Sequence, residues 1–356
     1  MRENNAHTLY LLQALELAKL HRGFCAPNPA VGAVVTLNDK VLATGYHFAP
    51  GLPHAEIDAL QKLNNKAVGA TIYITLEPCC HWGKTPPCTD ALIQSGIKRV
   101  VYGYRDPNPL VSDKSAALLQ AKGILCEHIA LPEINKFYES YQYWHHKKMP
   151  FVTAKIALSL DGKIAGKSGE RIPITGQELQ KFTHTARKTT DAILTTVKTI
   201  ICDHPKFNAR DTNQIIAKPL YVLDSKLQFS STMSVFKTAQ SLTVFYAEDT
   251  QNQLQKLTDL GVRCIQLDKN IQGLDLNQVI KAIGQEGIHD VWVEAGGKCF
   301  SALVMQKLVQ RALIYIAPRW IGDGQAAFAD DFSLNLEGCK IHWQQLGNDA
   351  LCDIHW

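Results

Sequence analysis

The sequence predicts an α/β protein of two domains, and three observations carry that expectation. The chain has 356 residues, more than one hydrophobic core usually organises. Apolar segments of strand and helix period alternate along it. The alternation breaks once, at Trp144-His145-His146-Lys147-Lys148-Met149-Pro150, a polar, basic, proline-closed stretch of linker composition. The expected domains are therefore residues 1–146 and 147–356.

Leu9, Leu12, Leu15 and Leu20, with Ala14 and Ala18, give an opening amphipathic helix. Two apolar runs flank Asn38-Asp39 and predict a hairpin. A helix follows from about His54, with Ile57, Leu60 and Leu63 at helical spacing, then a strand over 71–76. Ala91-Leu92-Ile93 reads as helix ended by Gly96, residues 98–103 as a short buried strand, and 115–121 as a helix before Gly123. This order predicts a three-layer α/β sandwich. Beyond the linker, strands are expected at 152–157, 192–194, 220–223, 242–245, 290–293, 312–316 and about 352–356.

Composition narrows the function classes. With 46% hydrophobic and 20% charged residues and a net charge of +4, the chain is ordinary globular material. No run of Lys or Arg is long enough for a nucleic-acid arm. No stretch approaches the ~18 consecutive apolar residues of a membrane span. The polar start, residues 1–7, lacks the apolar core of a secretion signal. Nucleic-acid and membrane partners are thus not expected, a cytoplasmic location is, and a homo-oligomer stays open. In a reducing compartment the ten cysteines read as metal or catalytic groups before disulfides. Seven are scattered, but Cys79, Cys80 and Cys88 are clustered.

His54-Ala55-Glu56 stands upstream of Glu77-Pro78-Cys79, and Cys88 follows nine positions after Cys79. One imidazole and two thiolates make a three-ligand tetrahedral zinc site with one position open to water. Zinc lowers the pKa of bound water to about 7. Glu56, two residues past the ligand, can accept that proton and pass protons to a ring nitrogen and a departing amine. His-x-Glu, then Pro-Cys and a second Cys, is the signature of zinc nucleobase deaminases, with Glu as acid/base and not as ligand. A closed structural site using Cys80 as well is the competing reading. Adjacent residues rarely both ligate one metal in good geometry, and such a site gives Glu56 no task. In deaminases of cytidine and of tRNA adenosine two residues separate the cysteines; here eight do. The long spacing also disfavours an RNA-editing deaminase.

The stretch Thr75-Leu76-Glu77-Pro78-Cys79-Cys80-His81-Trp82-Gly83-Lys84-Thr85-Pro86-Pro87-Cys88 resembles that of the bifunctional riboflavin-biosynthesis deaminase/reductases. Pro27-Asn28-Pro29-Ala30-Val31-Gly32 and Asp106-Pro107-Asn108-Pro109 match the same family. The resemblance implies a cytidine-deaminase-like three-layer sandwich followed by a dihydrofolate-reductase-like α/β domain. It implies a zinc-dependent hydrolase acting on 2,5-diamino-6-(5-phosphoribosylamino)pyrimidin-4-one, releasing ammonia. An NADPH-dependent reduction of the ribosyl group to a ribityl chain follows. Zn2+ would sit on His54, Cys79 and Cys88, with Glu56 catalytic. Contacts to this small phosphoribosyl pyrimidine would fall on Asn28, His47, His81, Lys84, Asp106 and Asn108. An amide can pair with a ring edge, Lys84 and His81 can neutralise a phosphate, and Asp106 with Asn108 can hold ribose hydroxyls.

Lys155-Ile156-Ala157-Leu158-Ser159-Leu160-Asp161-Gly162-Lys163-Ile164-Ala165 is similar to the segment that opens the family's reductase domain. There the resemblance implies Arg187 and Arg210 as substrate contacts and Asp203 in a catalytic or hydroxyl-binding role. Lys155, Thr199, Gly296 and Gly297 would lie along NADPH. Gly296-Gly297 follows an apolar strand, where a Gly pair lets backbone approach a pyrophosphate. No Rossmann G-x-G-x-x-G occurs. The sequence departs from the family at Cys80, for a usual Ser, and at Pro173, for a usual Trp. Val111-Ser112-Asp113-Lys114-Ser115 lacks two usual glycines, and Thr195-Thr196-Val197-Lys198 lacks those common before Thr199. An active deaminase with a catalytically silent reductase-like domain is the alternative expectation.

Overall fold

The computed structural model describes residues 2–82, 86–109, 111–211, 214–270, 273–328 and 332–356. They form two compact units, Met1–Lys148 and Met149–Trp356. Among the described residues no helix is long and apolar enough to cross a membrane.

The first unit runs α1 (Arg2–Leu20), β1 (Gly32–Leu37), β2 (Lys40–Tyr46), α2 (Ala55–Gln61), β3 (Thr71–Ile74), α3 (Cys88–Gln94), β4 (Arg99–Tyr102), α4 (Lys114–Ala121), β5 (Leu125–His128), α5 (Pro132–Phe137) and α6 (Glu139–Lys147). Its sheet has the order β2-β1-β3-β4-β5, with β3, β4 and β5 parallel and β1 antiparallel to both neighbours. Asn38 and Asp39 turn the β1–β2 hairpin at φ 50° and 60°, the left-handed region these two residues tolerate. Alternation of side chains along the strands makes the sandwich. Val34, Tyr73 and Val101 face Tyr10, Leu11 and Leu15 on one side. Ala33, Val35, Ile72, Ile74 and Val100 face Ala59, Leu60, Leu92 and Leu119 on the other.

Residues 144–150, expected as a linker, are for the most part helix. The end of α6 occupies Trp144 to Lys147, and the helix stops at Lys148 in the left-handed conformation (φ 55°). The basic residues His145, His146 and Lys147 fall in its last turn, where the Lys147 charge suits the helix dipole. Ser140 and Tyr141 provide the buried face.

The second unit runs β6 (Phe151–Ser159), β7 (Lys163–Ala165), α7 (Gln177–Thr189), β8 (Ala192–Thr196), α8 (Val197–Asp203), β9 (Ala209–Asp211), β10 (Gln214–Ile216), β11 (Pro219–Leu223), α9 (Val235–Thr238), β12 (Ser241–Tyr246), α10 (Leu254–Asp259), β13 (Arg263–Gln266), β14 (Lys269–Asn270), β15 (Gly273–Leu274), α11 (Leu276–Gln285), β16 (Asp290–Glu294), α12 (Gly297–Met305), β17 (Arg311–Ala317), β18 (Gln325–Ala326), β19 (Lys340–Leu346) and β20 (Asp349–His355). Nine strands form one sheet in the order β13-β12-β11-β8-β16-β6-β17-β20-β19. Neighbours from β13 to β17 pair in parallel; β20 is antiparallel to β17 and β19. In such a sheet, ligands bind outside the carboxyl ends of the parallel strands. Here those ends carry Thr196, Leu223 and Glu294. The pair β7 and β18 forms a separate two-stranded ribbon. Asp161 ties its two approaches together, accepting from Ser159 Oγ (2.6 Å) and from the N–H groups of Ile321 (3.1 Å) and Gly322 (2.7 Å).

One glycine in the first unit has a direct bearing on the site. A Cβ on Gly45 would stand 2.2 Å from the carbonyl oxygen of Ala55 and 2.5 Å from the N of Ala59. Both contacts are backbone, so α2 lies on β2 only because residue 45 has no side chain. Gly45→Ala should push the start of α2 off the sheet and cost about 2–3 kcal/mol, as overpacking does. Urea unfolding of the full chain checks this; an unchanged first transition would contradict it.

Candidate active sites

The start of α2, the segment after β3 and the start of α3 bring His54, Cys79 and Cys88 to one point. Their ligand atoms all lie within 4.8 Å of one another. His54 Nδ1 is 3.2 Å from Cys88 Sγ and 3.6 Å from Cys79 Sγ. A tetrahedral ion with Zn–S ≈ 2.3 Å and Zn–N ≈ 2.0–2.1 Å has edges of about 3.6 Å between nitrogen and sulfur, so the donor set fits zinc in spacing and in softness. Hydrogen bonding from Cys88 holds the Cys79 thiol down at about 4, while the same contact and burial push Cys88 up. Glu56, 3% exposed, lies among these groups, and burial raises its pKa.

Around this point is a cavity of about 360 Å³, lined by Asn28, His47, His54, Glu56, Cys79, His81, Asp106 and Asn108 among others. Every sequence-expected residue of the deaminase half thus converges except Lys84, which lies outside the described residues. His47 Nδ1–H donates to the Pro53 carbonyl (3.0 Å). Nε2 is then the acceptor for the Asn28 amide N–H (3.3 Å), which leaves the Asn28 amide oxygen for a ligand. Burial lowers the His47 pKa, consistent with this neutral tautomer. His81 Nδ1 is buried with no hydrogen-bond partner among the described residues. Asp106 Oδ1 accepts from the N–H of Asn108 (2.8 Å) and from Tyr141 O–H (3.3 Å), and burial pushes its carboxyl up to about 6.

The sequence reading did not single out Glu77 or the Tyr141-Trp144-His145 face of α6 that lines the cavity. Glu77 is 2% exposed. It accepts from the N–H groups of Asp106 and Asp113 (3.3 Å each) and from Ser115 O–H (2.5 Å). Two of these donors explain how the chain does without the family's glycines. Asp113 adopts the left-handed conformation itself (φ 59°), which Asp tolerates. Ser115 fills its fully buried position with a hydrogen bond.

In the second unit a cavity of about 420 Å³ is lined by Lys155, Arg171, His184, Arg187, Asp203, Arg210 and Glu294 among others. A groove of about 430 Å³ runs from it past Thr199, Gly296, Gly297 and Leu223. The two share Ile164, Ala165, Thr199, Asp203 and Gly296, so ligands in the groove and in the cavity would meet at those residues. A Cβ on Gly296 would meet nothing within 4 Å and would project into this space. On Gly297, which also lines the groove, it would collide with the Ala327 carbonyl, so this glycine is needed for the packing of α12. Lys155, expected along the cofactor, lines the first of these two cavities. Its ammonium stands 5.0 Å over the Tyr315 ring, and burial lowers its pKa. Burial also raises the pKa of Asp203, against the pull of Arg171 and Lys155.

Arg187, expected as a substrate contact, is held by protein partners. Its Nε and Nη2 donate to the two carboxylate oxygens of Glu294 (2.5 and 2.9 Å), and Nη1 donates to the Asn208 carbonyl (3.1 Å). Trp292 Nε1 adds a further donor to Glu294 (2.8 Å). The glycine-poor turn before Thr199 is an ordinary capped helix start. Thr196 is extended (φ −110°, ψ 150°), and its hydroxyl accepts from the Thr199 N–H, so no glycine is required there. Arg171, His184 and Glu294 were not anticipated. The available signal was the acidic residue ending the apolar strand β16.

Burial pushes the Glu294 carboxyl up, but Arg187 outweighs it and holds it at about 2. A carboxyl with a depressed folded pKa stabilises the fold above its unfolded pKa, and that stabilisation is lost as pH falls toward the folded value. Glu294→Gln also leaves the Arg187 charge buried without a partner, which costs about 3–5 kcal/mol near pH 7. The gap between wild type and variant should therefore narrow as pH falls below about 4. Urea midpoints at a series of pH values check this, and a gap independent of pH would contradict it.

The chain's similarities agree with this geometry. The sequence profile of the cytidine and deoxycytidylate deaminase zinc-binding region matches residues 4–104, and that of the RibD C-terminal domain matches residues 150–352. Riboflavin biosynthesis protein RibD of Aquifex aeolicus is 36% identical over 320 residues, covering 88% of each chain. That of Haemophilus influenzae is 34% identical over 359 residues, covering 96% of this chain and 95% of the relative. Among solved structures, Acinetobacter baumannii RibD superposes with a TM-score of 0.88 at 32% identity, over 99% of both chains. A diaminohydroxyphosphoribosylaminopyrimidine deaminase/5-amino-6-(5-phosphoribosylamino)uracil reductase from Thermotoga maritima gives 0.86 at 30%, again over 99% of both. The first unit is cytidine-deaminase-like and the second dihydrofolate-reductase-like. The chain belongs to the RibD family of riboflavin-biosynthesis proteins.

Proposed function

We propose that the cavity of the first unit deaminates a diaminopyrimidine ribotide and that the paired cavities of the second reduce the product's ribosyl group. The chain is a bifunctional deaminase and reductase of riboflavin biosynthesis, zinc-dependent in the first activity and NADPH-dependent in the second. The observation that carries the assignment of sites is the convergence of His54, Cys79 and Cys88 in the cavity that also holds Glu56 and Asn28.

His54, Cys79 and Cys88 would hold the zinc, which supplies Lewis acidity and lowers the pKa of a water in its open position to about 7. Glu56 is the proton carrier. Its buried carboxyl binds a proton more tightly than an exposed one, so it can take one from the attacking water and deliver it to the ring and then to the departing amine. Asn28, fixed by His47, pairs with an edge of the pyrimidine. His81, whose Nδ1 has no partner among the described residues, and Asp106 with Asn108 hold the phosphoribosyl group.

In the second unit NADPH supplies the hydride. Asp203 stands at the junction of cavity and groove, and burial raises the pKa of its carboxyl. It is placed to give a proton to the ribosyl oxygen that becomes a hydroxyl as the ring opens. Arg187 and Glu294 position the cavity wall, and Lys155, Arg171 and Arg210 supply the cations that suit the substrate phosphate. A silent second unit is not favoured; the capped turn at Thr196, which needs no glycine, supports that reading.

Glu56→Ala should retain zinc, measured by metal analysis, while ammonia release falls about 10²–10⁴-fold, the worth of general acid–base catalysis. Near-normal turnover by a zinc-loaded variant would sink the assignment of Glu56.

A further inference from the structure

Two tyrosines of the α6 region are buried in the core that packs α1 onto the first sheet: Tyr138, the residue that caps the helix, and Tyr141 within it. Their hydroxyls lead to different places. Tyr138 O–H donates to the Ala30 carbonyl (2.9 Å), and its oxygen accepts from Thr75 O–H (2.6 Å). It ties the helix to the segment that carries Asn28 and to the end of β3, away from the cavity wall. Tyr141 lines the cavity, and its O–H donates to Oδ1 of Asp106 (3.3 Å). Packing holds the phenol in that place. Its ring meets Tyr138 at a centroid distance of 6.3 Å and stands edge-on to His145 at 4.7 Å.

Three protein groups hold Asp106. Its N–H donates to Glu77 Oε2 (3.3 Å), and its Oδ1 accepts from the Asn108 N–H (2.8 Å) as well as from Tyr141. Among the described residues Oδ2 has no partner, and the side chain borders the cavity. The bond from Asn108 closes a local Asx turn, but one donor leaves the plane of the carboxylate loosely set, because the last torsion of Asp is broad. A second donor to the same oxygen, from a different element, removes that freedom. Oδ2 is then the atom left to accept from a ligand hydroxyl. Burial disfavours the ionised carboxyl and the two donors favour it, so the Tyr141 hydroxyl also helps to keep Oδ2 an acceptor.

We propose that Tyr141 is a positioning residue for the sugar of the deaminase substrate: by fixing Oδ1 of Asp106 it aims Oδ2 at a ribose hydroxyl. The proposal rests on the reading of the first unit as a ribotide deaminase. Tyr141 acts on binding through Asp106 and takes no part in the chemistry at the metal, so its loss falls on KM and not on kcat.

The test is steady-state ammonia release by the zinc-loaded full-length protein as the concentration of the diaminopyrimidine ribotide is varied. Tyr141→Phe keeps the ring and its packing and removes only the O–H. It should raise KM about tenfold, the size of one hydrogen bond to a charged group, and change kcat less than about twofold. In Asp106→Ala, where the carboxylate is already gone, adding Tyr141→Phe should raise KM no further. An unchanged KM in Tyr141→Phe would overturn the proposal. A KM raised equally in both backgrounds would show Tyr141 acting without Asp106 and overturn it too. A lower kcat together with lost zinc would assign Tyr141 to holding the fold, with the same consequence. If Asp106→Ala does not fold, KM and kcat of the single Tyr141→Phe variant decide. A wild-type protein that releases no ammonia would overturn the deaminase reading itself, and the proposal with it.

Discussion

Both sites depend on burying a carboxylate, Glu77 in one and Glu294 in the other, and meeting it with donors or an opposite charge. An isolated buried charge costs several kcal/mol, so each such group has to be met by donors or by an opposite charge from elsewhere in the chain. In the first unit the critical group is Glu77, adjacent in sequence to the Pro78-Cys79 ligand segment. Its oxygens collect two backbone N–H groups and the Ser115 hydroxyl, and so bind the segments around Asp106 and Asp113 to the metal point. In the second unit it is Glu294, matched by a bidentate Arg187 and by Trp292. Satisfying these carboxylates is also what fixes the walls of the cavities.

The two sites use their sheets in the same way. Parallel strands end at a common edge, and the segments that leave them carry the chemistry: Cys79 beyond β3, Thr199 and Asp203 beyond β8, and Gly296 beyond β16. Helices placed close against the sheet complete the arrangement. Gly45 lets α2 approach with His54 and Glu56 at its start, and Gly297 lets α12 pack beneath the Ala327 carbonyl. Where the chain lacks the family's glycines it uses other means. Asp113 takes the left-handed conformation directly, and Thr196 caps α8.

The parts legible in the sequence were those with local signals. His54, Glu56, Cys79 and Cys88 form a short motif whose spacing dictates a metal site, and the alternation of Val34 with Ala33 and Val35 dictates two buried sheet faces. The Arg187–Glu294 pair, 107 residues apart in sequence, has no local signal, so the carboxylate that holds Arg187 at the cavity wall was not legible. Lys155 read as a cofactor residue because it opens a motif; its place within β6 puts it on the wall of the cavity that also holds Arg187 and Arg210. The helix α6 was hidden by its own last turn. Its cations look like a linker, although Tyr141, Trp144 and His145 share the helix face that lines the cavity.

The most direct measurement is a coupled assay on the zinc-loaded full-length protein with the diaminopyrimidine ribotide, following ammonia release and NADPH absorbance together. Ammonia release accompanied by NADPH oxidation is the expected result, and it requires both sites to work in one chain. Ammonia with NADPH untouched would contradict the assignment of the second unit. No ammonia at all would contradict the assignment of the first.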